Sequence, residues 1–269
     1  MLPDILDSLF RPAAYRRFAT EPAPRSAAYA AFLSVVFIGA LGLSVKLRLV
    51  PVFDRTFAWL ETSMPPLRIS GGKVTSTAAP VRLVHPEFKS VAVEIDTTRA
   101  APVTPKDMEA LKVRAFLSQN ALYIENEGTV QVLDLSRGGE DQPVILDADS
   151  YRAMHRSFDW VFYPALLLTF FLLFAASLAA FGVVYAAAGL LAGSLSGAGL
   201  SFMQLWRIAL HAQTAAALLR ALDTALPFPI PGLVYASPLI SAGYMWLGLR
   251  GARGNAPPAE PAPAAPPAA

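Results

Sequence analysis

The side chains with most chemistry to offer in an apolar setting fall within one short stretch. Arg207 and His211 are four residues apart and share a face of a helix, with Gln204 on the same side. A charge at the centre of a membrane helix costs about 2.5–3.5 kcal/mol on insertion scales, so such residues are often functional. Arg207 and Arg220 lie near the two ends of their segment, where a long side chain reaches the interface, and read as anchors. For His211, one turn deeper than Arg207, a hydrogen bond between helices is favoured over proton relay or metal ligation. Gln204, Arg207 and His211 form the candidate polar face.

Elsewhere the chemistry thins out. His85 and His155 belong to no metal-ligand spacing. Glu94 and Asp96 point to one face of a strand, and Glu125, Glu127 and Asp134 cluster further on. Paired carboxylates can bind calcium or move protons; these read better as the solvated side of a small sheet. No Ser-His-Asp arrangement, phosphate loop or dinucleotide fingerprint is recognisable. Cysteine is absent, which excludes disulfides, thiol catalysis and Cys-type zinc sites. With 22 Lys+Arg against 20 Asp+Glu, the basic excess that nucleic-acid binding needs is missing. No catalytic residue, metal site or cofactor is expected.

The elements that must position these residues are dominated by Trp160 to Trp206, which contains no Asp, Glu, Lys or Arg. Crossing a bilayer takes roughly 20 apolar residues of helix, so this run holds one full span and the start of something else. The expected fold is an α-helical integral membrane protein with four spans and a small α+β extracytoplasmic domain between spans one and two. Residues 1–26 form an amphipathic N-terminal segment, with Ile5, Leu6, Leu9 and Phe10 on one side and Arg11, Arg16 and Arg17 near its far end. It either lies in the headgroup layer or packs as a cap on the bundle. Residues 27–45 are the first span, read as an uncleaved anchor because Lys46-Leu47-Arg48-Leu49 offers no small-residue cleavage site.

Within residues 46–159, Phe53 to Ser63 reads as a short amphipathic helix. Leu67 to Ser70 and Lys73 to Ser76 form a hairpin through Gly71-Gly72. Further strands are expected at 81–84, 91–96, 113–117, 121–125 and 130–135, completing one sheet. A helix starts at Thr104-Pro105-Lys106-Asp107. Asp149 starts another that can run unbroken into the second span. The bundle, 160–254, has spans at about 160–187, 204–226 and 233–249, with Gly189 to Phe202 as a connector or a re-entrant piece. The Ala/Pro tail, 255–269, is expected to be disordered. Arg16, Arg17, Trp160, Tyr163, Arg220 and Arg250 are candidate interfacial anchors. The excess of Arg11, Arg16, Arg17, Arg25, Arg250 and Arg253 on the terminal segments puts both ends in the cytoplasm and 46–159 outside it.

Two strings carry a resemblance. Leu67-Arg68-Ile69-Ser70-Gly71-Gly72-Lys73-Val74 and Val91-Ala92-Val93-Glu94-Ile95-Asp96-Thr97-Thr98 resemble a bacterial membrane family catalogued as a domain of unknown function. That family includes a membrane protein found with maltodextrin-utilisation genes. Met203-Gln204-Leu205-Trp206-Arg207-Ile208-Ala209-Leu210-His211-Ala212 is similar to the third-helix entry of the Yip-type membrane superfamily, although Gln213-Thr214-Ala215 lacks the proline common there. The resemblance implies a fold and an inner-membrane location, and brings no activity.

The leading expectation is a non-enzymatic accessory or scaffold protein. Its partners are the lipid bilayer and a membrane or envelope protein, with a homo-oligomer also open and no nucleic acid. A carrier for a small or lipid-like molecule using the polar face is the alternative, and an intramembrane enzyme the third.

Overall fold

The computed structural model describes residues 1–88, 92–126, 128–135, 143–195 and 199–253. In chain order the helices are α1 (Leu2–Phe10), α2 (Tyr15–Thr20), α3 (Ala23–Ser44), α4 (Val50–Ser63), α5 (Pro105–Leu111), α6 (Ala148–Ser157), α7 (Tyr163–Leu195), α8 (Phe202–Ala212), α9 (Thr214–Ala225) and α10 (Leu233–Arg253). The strands are β1 (Leu67–Ser70), β2 (Lys73–Ser76), β3 (Val81–Val84), β4 (Ala92–Ile95), β5 (Ala115–Leu117), β6 (Ala121–Asn126), β7 (Thr129–Asp134) and β8 (Val144–Leu146). The chain divides into a helical unit, Met1–Leu47 with the chain from Ala165 on, and a mixed unit, Arg48–Pro164.

Two helices are long and apolar enough to cross a membrane. They run over Ala23–Ser63 (41 residues) and Ala148–Leu191 (44 residues). The first continues as helix past Lys46, where the uncharged run ends. A π-helical stretch, Val45–Leu49, carries α3 into α4, and a second one, Phe158–Phe162, carries α6 into α7. Each ends two residues before a proline, Pro51 or Pro164. A proline ring clashes with the carbonyl one turn back, and a widened turn makes room for it without breaking the helix. The segment expected from Phe53 is the distal part of this continuous helix.

In the helical unit, the N-terminal segment is two helices rather than one. Pro12 interrupts it, and Pro12–Ala14 form a 3-10 turn between α1 and α2. Both helices pack onto α8, and α2 also packs on α10, so this segment is a cap on the bundle. Its core joins Tyr15, Phe18 and Ala19 to Leu205, Ile208, Ala209, Ala212, Met245 and Leu249. Close approach explains two glycines. A Cβ on Gly248 would stand 2.6 Å from the Tyr15 ring, and one on Gly251 would collide with the Pro12 carbonyl. The stretch 204–226, expected as one span, is the pair α8 and α9, joined at Gln213. Gly199 to Ser201 lead into α8, with 196–198 of the expected connector outside the described residues.

The mixed unit has two sheets where one was expected. β2-β1-β8 is antiparallel, and the other runs β3-β4-β5-β6-β7 with only β4 and β5 parallel. Strand β8 has no sequence expectation behind it, since three apolar residues alone carry no period. Gly71 and Gly72, at φ +55° and +73°, make the turn of the β1-β2 hairpin. The parallel pair is connected through α5, which opens on a reciprocal cap between Thr104 and Asp107. Alternation along the strands sends Ala92, Phe116, Ala121 and Tyr123 toward Met108 of α5. Ile95 and Leu117 face the other way, onto Leu67 and Val74 of the smaller sheet. Val91, Glu127 and the tail from Asn255 lie outside the described residues.

Candidate functional site

Buried polar groups in the helical unit converge on His211. Its ring is 1% exposed and lies between two aromatic rings, Phe18 at 3.7 Å and Tyr29 at 4.2 Å between centroids. Two rings stacked that closely on one imidazole must take opposite faces, so access is left only through its edge. The edge is occupied. Nε2 is 2.7 Å from Glu21 Oε1, and Nδ1 is 3.2 Å from Ser8 Oγ.

Local structure explains each partner. Ser8 sits mid-α1 and donates back to the Asp4 carbonyl, 2.6 Å away, as a serine one turn along a helix commonly does. Glu21 ends α2, and Ser26 in the first turns of α3 donates to its Oε1 at 2.8 Å. Tyr29, one turn further along α3, bonds Thr214 Oγ1 at 2.8 Å, and Thr214 donates to the His211 carbonyl at 2.6 Å. Tyr15 donates to the Ser8 carbonyl at 2.9 Å.

A ring of charge lies over this core. Arg17 reaches Asp4 at 2.6 Å and Asp7 at 3.1 Å, while Arg25 lies 3.6 Å from Asp4 and 3.4 Å from Glu21 Oε2. Burial pushes the Asp4 carboxyl up, but the N-terminal ammonium, Arg17 and Arg25 outweigh it and hold the group below its ordinary value. Burial likewise raises Glu21. Hydrogen bonds from His211 and Ser26, with the charges of His211 and Arg25, more than reverse it. Among the described residues, the buried side-chain atoms Glu21 Oε2 and Arg207 Nε lack hydrogen bonds.

Ser8, His211 and Glu21 have the composition of a nucleophile, base and orienting acid. The donor count runs the other way. The Ser8 hydroxyl has one proton to give, and the Asp4 carbonyl at 2.6 Å is closer to it than His211 Nδ1 at 3.2 Å. A general base has to take the serine proton. Here that proton is directed to a backbone carbonyl, and Ser8 is only 2% exposed. The arrangement is suited to holding α1, α2 and α3 together on α8.

The predicted residues scatter. His211 is central. Arg207 stays close, donating from Nη1 to the Ala19 carbonyl at 3.2 Å. Gln204, at the start of α8, spends its side chain on a reciprocal cap with Ser201. Arg17 binds Asp4 and Asp7, while Arg16 is exposed. Trp160 is exposed and Tyr163 half-buried. Arg250 stacks on Trp246 at 5.0 Å, and Arg220 donates from Nε to Ser237 Oγ at 3.1 Å.

In the mixed unit, Asp96 accepts from Thr98 in a turn, and Glu125 binds Arg114 and the Gly128 amide. His85 Nδ1 accepts from the Glu87 and Phe88 amides, and His155 bonds Asp54 at 2.9 Å. Among the described residues no cluster of three His, Asp or Glu is placed to hold a metal. Sequence reasoning missed Asp4, Ser8, Glu21 and Tyr29, because nothing local connects residues 4–29 with 211. The one available signal was the presence of Asp4 and Glu21 beside otherwise apolar helix faces.

No curated relative and no solved structure matches the chain. One family does, over residues 3–249, described as "Protein of unknown function (DUF1189)". That range takes in α1, Glu21, Tyr29 and His211 alike, and the chain belongs to the DUF1189 family.

Proposed function

We propose that this is a four-span protein of the bacterial inner membrane, with both termini cytoplasmic and residues 46–159 extracytoplasmic. It acts without catalysis, as an accessory or scaffold subunit for a membrane or envelope partner. The membrane part draws support from uncovered apolar surface. Leu168, Leu172 and Leu173 on α7 leave 59%, 58% and 60% of their area bare, and Val234, Tyr235 and Leu239 on α10 leave 75%, 82% and 74%. Lipid covers such faces at no cost, whereas water does not. The likeness of 203–212 to the Yip-type helix entry belongs to the same proposal.

The observation that carries the scaffold reading is the closure of the His211 site. Its aromatic faces are covered, its serine is turned away from nucleophilic use, and its acids are neutralised by arginines. The same closure speaks against a carrier working through Gln204, Arg207 and His211, since Gln204 is committed to the Ser201 cap and His211 is sealed. Purification from native membranes in mild detergent tests the proposal. A stoichiometric partner should co-purify with the wild type; repeated recovery of the protein alone overturns it.

A further inference from the structure

A second polar site in the helical unit lies away from His211, between α7, α9 and α10. Its walls include Ser177, Tyr185, Gln213, Arg220, Ser237 and Ser241, among Phe174, Leu178 and Phe181. No acid lines it. The guanidinium of Arg220 enters no ion pair among the described residues, and its one side-chain hydrogen bond is Nε to Ser237 Oγ. Guanidinium stays charged at any ordinary pH, so in an apolar bundle it needs water or a counter-ion.

The other wall groups are committed elsewhere. Ser177 donates to the Phe174 carbonyl, Tyr185 to the Pro238 carbonyl, and the Gln213 amide to the Leu178 and Ala209 carbonyls. Ser237 is different. It is 2% exposed and accepts from Arg220, which leaves its own proton free. Ser241 is hydrogen-bonded to Tyr185, so Arg220 and Ser237, side by side, are the wall groups with donors to spare. The cavity volume is about 20 Å³. A single water needs about 10–15 Å³ measured this way, so the inner part of the pocket has room for one monatomic occupant.

We propose that Arg220 and Ser237 hold one halide-sized monovalent anion between α7, α9 and α10. The ion neutralises Arg220 where no carboxylate does, and ties α9 to α10 beside Pro238. It is a structural ligand, beyond the scaffold reading and independent of any partner.

Thermal unfolding of the full chain in detergent tests this, at constant ionic strength with sodium gluconate replaced by bromide or chloride. The wild type should show a saturable rise in Tm. Ser237→Ala should move the bromide midpoint at least about tenfold higher, the worth of one hydrogen bond to a charged group. Arg220→Gln should abolish the response. Should Arg220→Gln fail to fold, Ser237→Ala and anomalous scattering from bromide-soaked wild-type crystals decide, with a peak expected beside the guanidinium. An unresponsive wild type, an undiminished response in either variant, or no bromide peak overturns the proposal. So does equal stabilisation by sulfate or phosphate.

Discussion

At the scale of residues, His211 and Glu21 form the joint on which the N-terminal segment hangs. Removing one member of a buried pair leaves the other without its partner, which costs about 3–5 kcal/mol. His211→Ala takes the closest partner from Glu21, leaving Ser26 and Arg25, and empties the slot between Phe18 and Tyr29, so a loss toward the lower end of that range is expected in chemical denaturation. A conservative His211→Gln keeps a donor toward Glu21 and should lose less. Acid probes the same joint. Asp4 and Glu21 are both held below their ordinary values, so their stabilising contribution is full above the usual carboxylate range of about 4 and fades as pH falls below it. Melting followed from pH 6 downward should show a falling acid limb in the wild type and a shallower one in Glu21→Gln. An identical limb in both would remove Glu21 from the account. Lys112 offers a smaller test. It closes α5 at φ +51°, a left-handed position that costs a side chain about 1–2 kcal/mol and glycine almost nothing. Lys112→Gly should therefore stabilise the mixed unit by about 1 kcal/mol in urea titrations.

At the scale of elements, signals between neighbours in the chain proved readable and those between distant segments did not. The Gly71-Gly72 turn and the Thr104 cap are local chemistry, and both stand where the sequence puts them. Helix α6 running on into α7 was legible too, since nothing after Asp149 breaks it. Three features were not. Lys46 bounds the uncharged run of the first span, and nothing in the charge pattern told that the helix itself carries on through a π turn into α4. Gln204 was counted with Arg207 and His211 by spacing, although Ser201 three residues earlier makes it a capping partner. Asp4 and Glu21 gave no periodic sign of facing a histidine some two hundred residues on, because burial of that kind is settled by tertiary packing alone. The packing has its own test in α10. A methyl at Gly251 meets the Pro12 backbone, which cannot swing aside as a side chain would. Gly251→Ala should lift the α1-α2 segment from the bundle and speed tryptic cleavage after the exposed Arg16. Unchanged cleavage would mean that the His211 joint holds the segment without α10.

At the scale of the whole molecule, the proposal turns on sidedness. The bare leucines of α7 and the bare apolar face of α10 call for lipid around the helical unit, and the mixed unit brings a core of its own under both sheets. In that proposal the cation excess of the short terminal segments keeps both ends in the cytoplasm, because long translocated segments contribute little to orientation. Lys73 and Lys112 are exposed on the mixed unit, and Met1 carries the N-terminal amine of the helical one. A membrane-impermeant amine label added to intact spheroplasts should modify Lys73 and Lys112 and spare the N-terminus until the membrane is lysed. The reverse pattern would place residues 46–159 in the cytoplasm, and an envelope partner could not then reach them. Labelling of all three before lysis would deny the barrier itself, and with it the reading of Ala23–Ser63 and Ala148–Leu191 as helices that cross a bilayer.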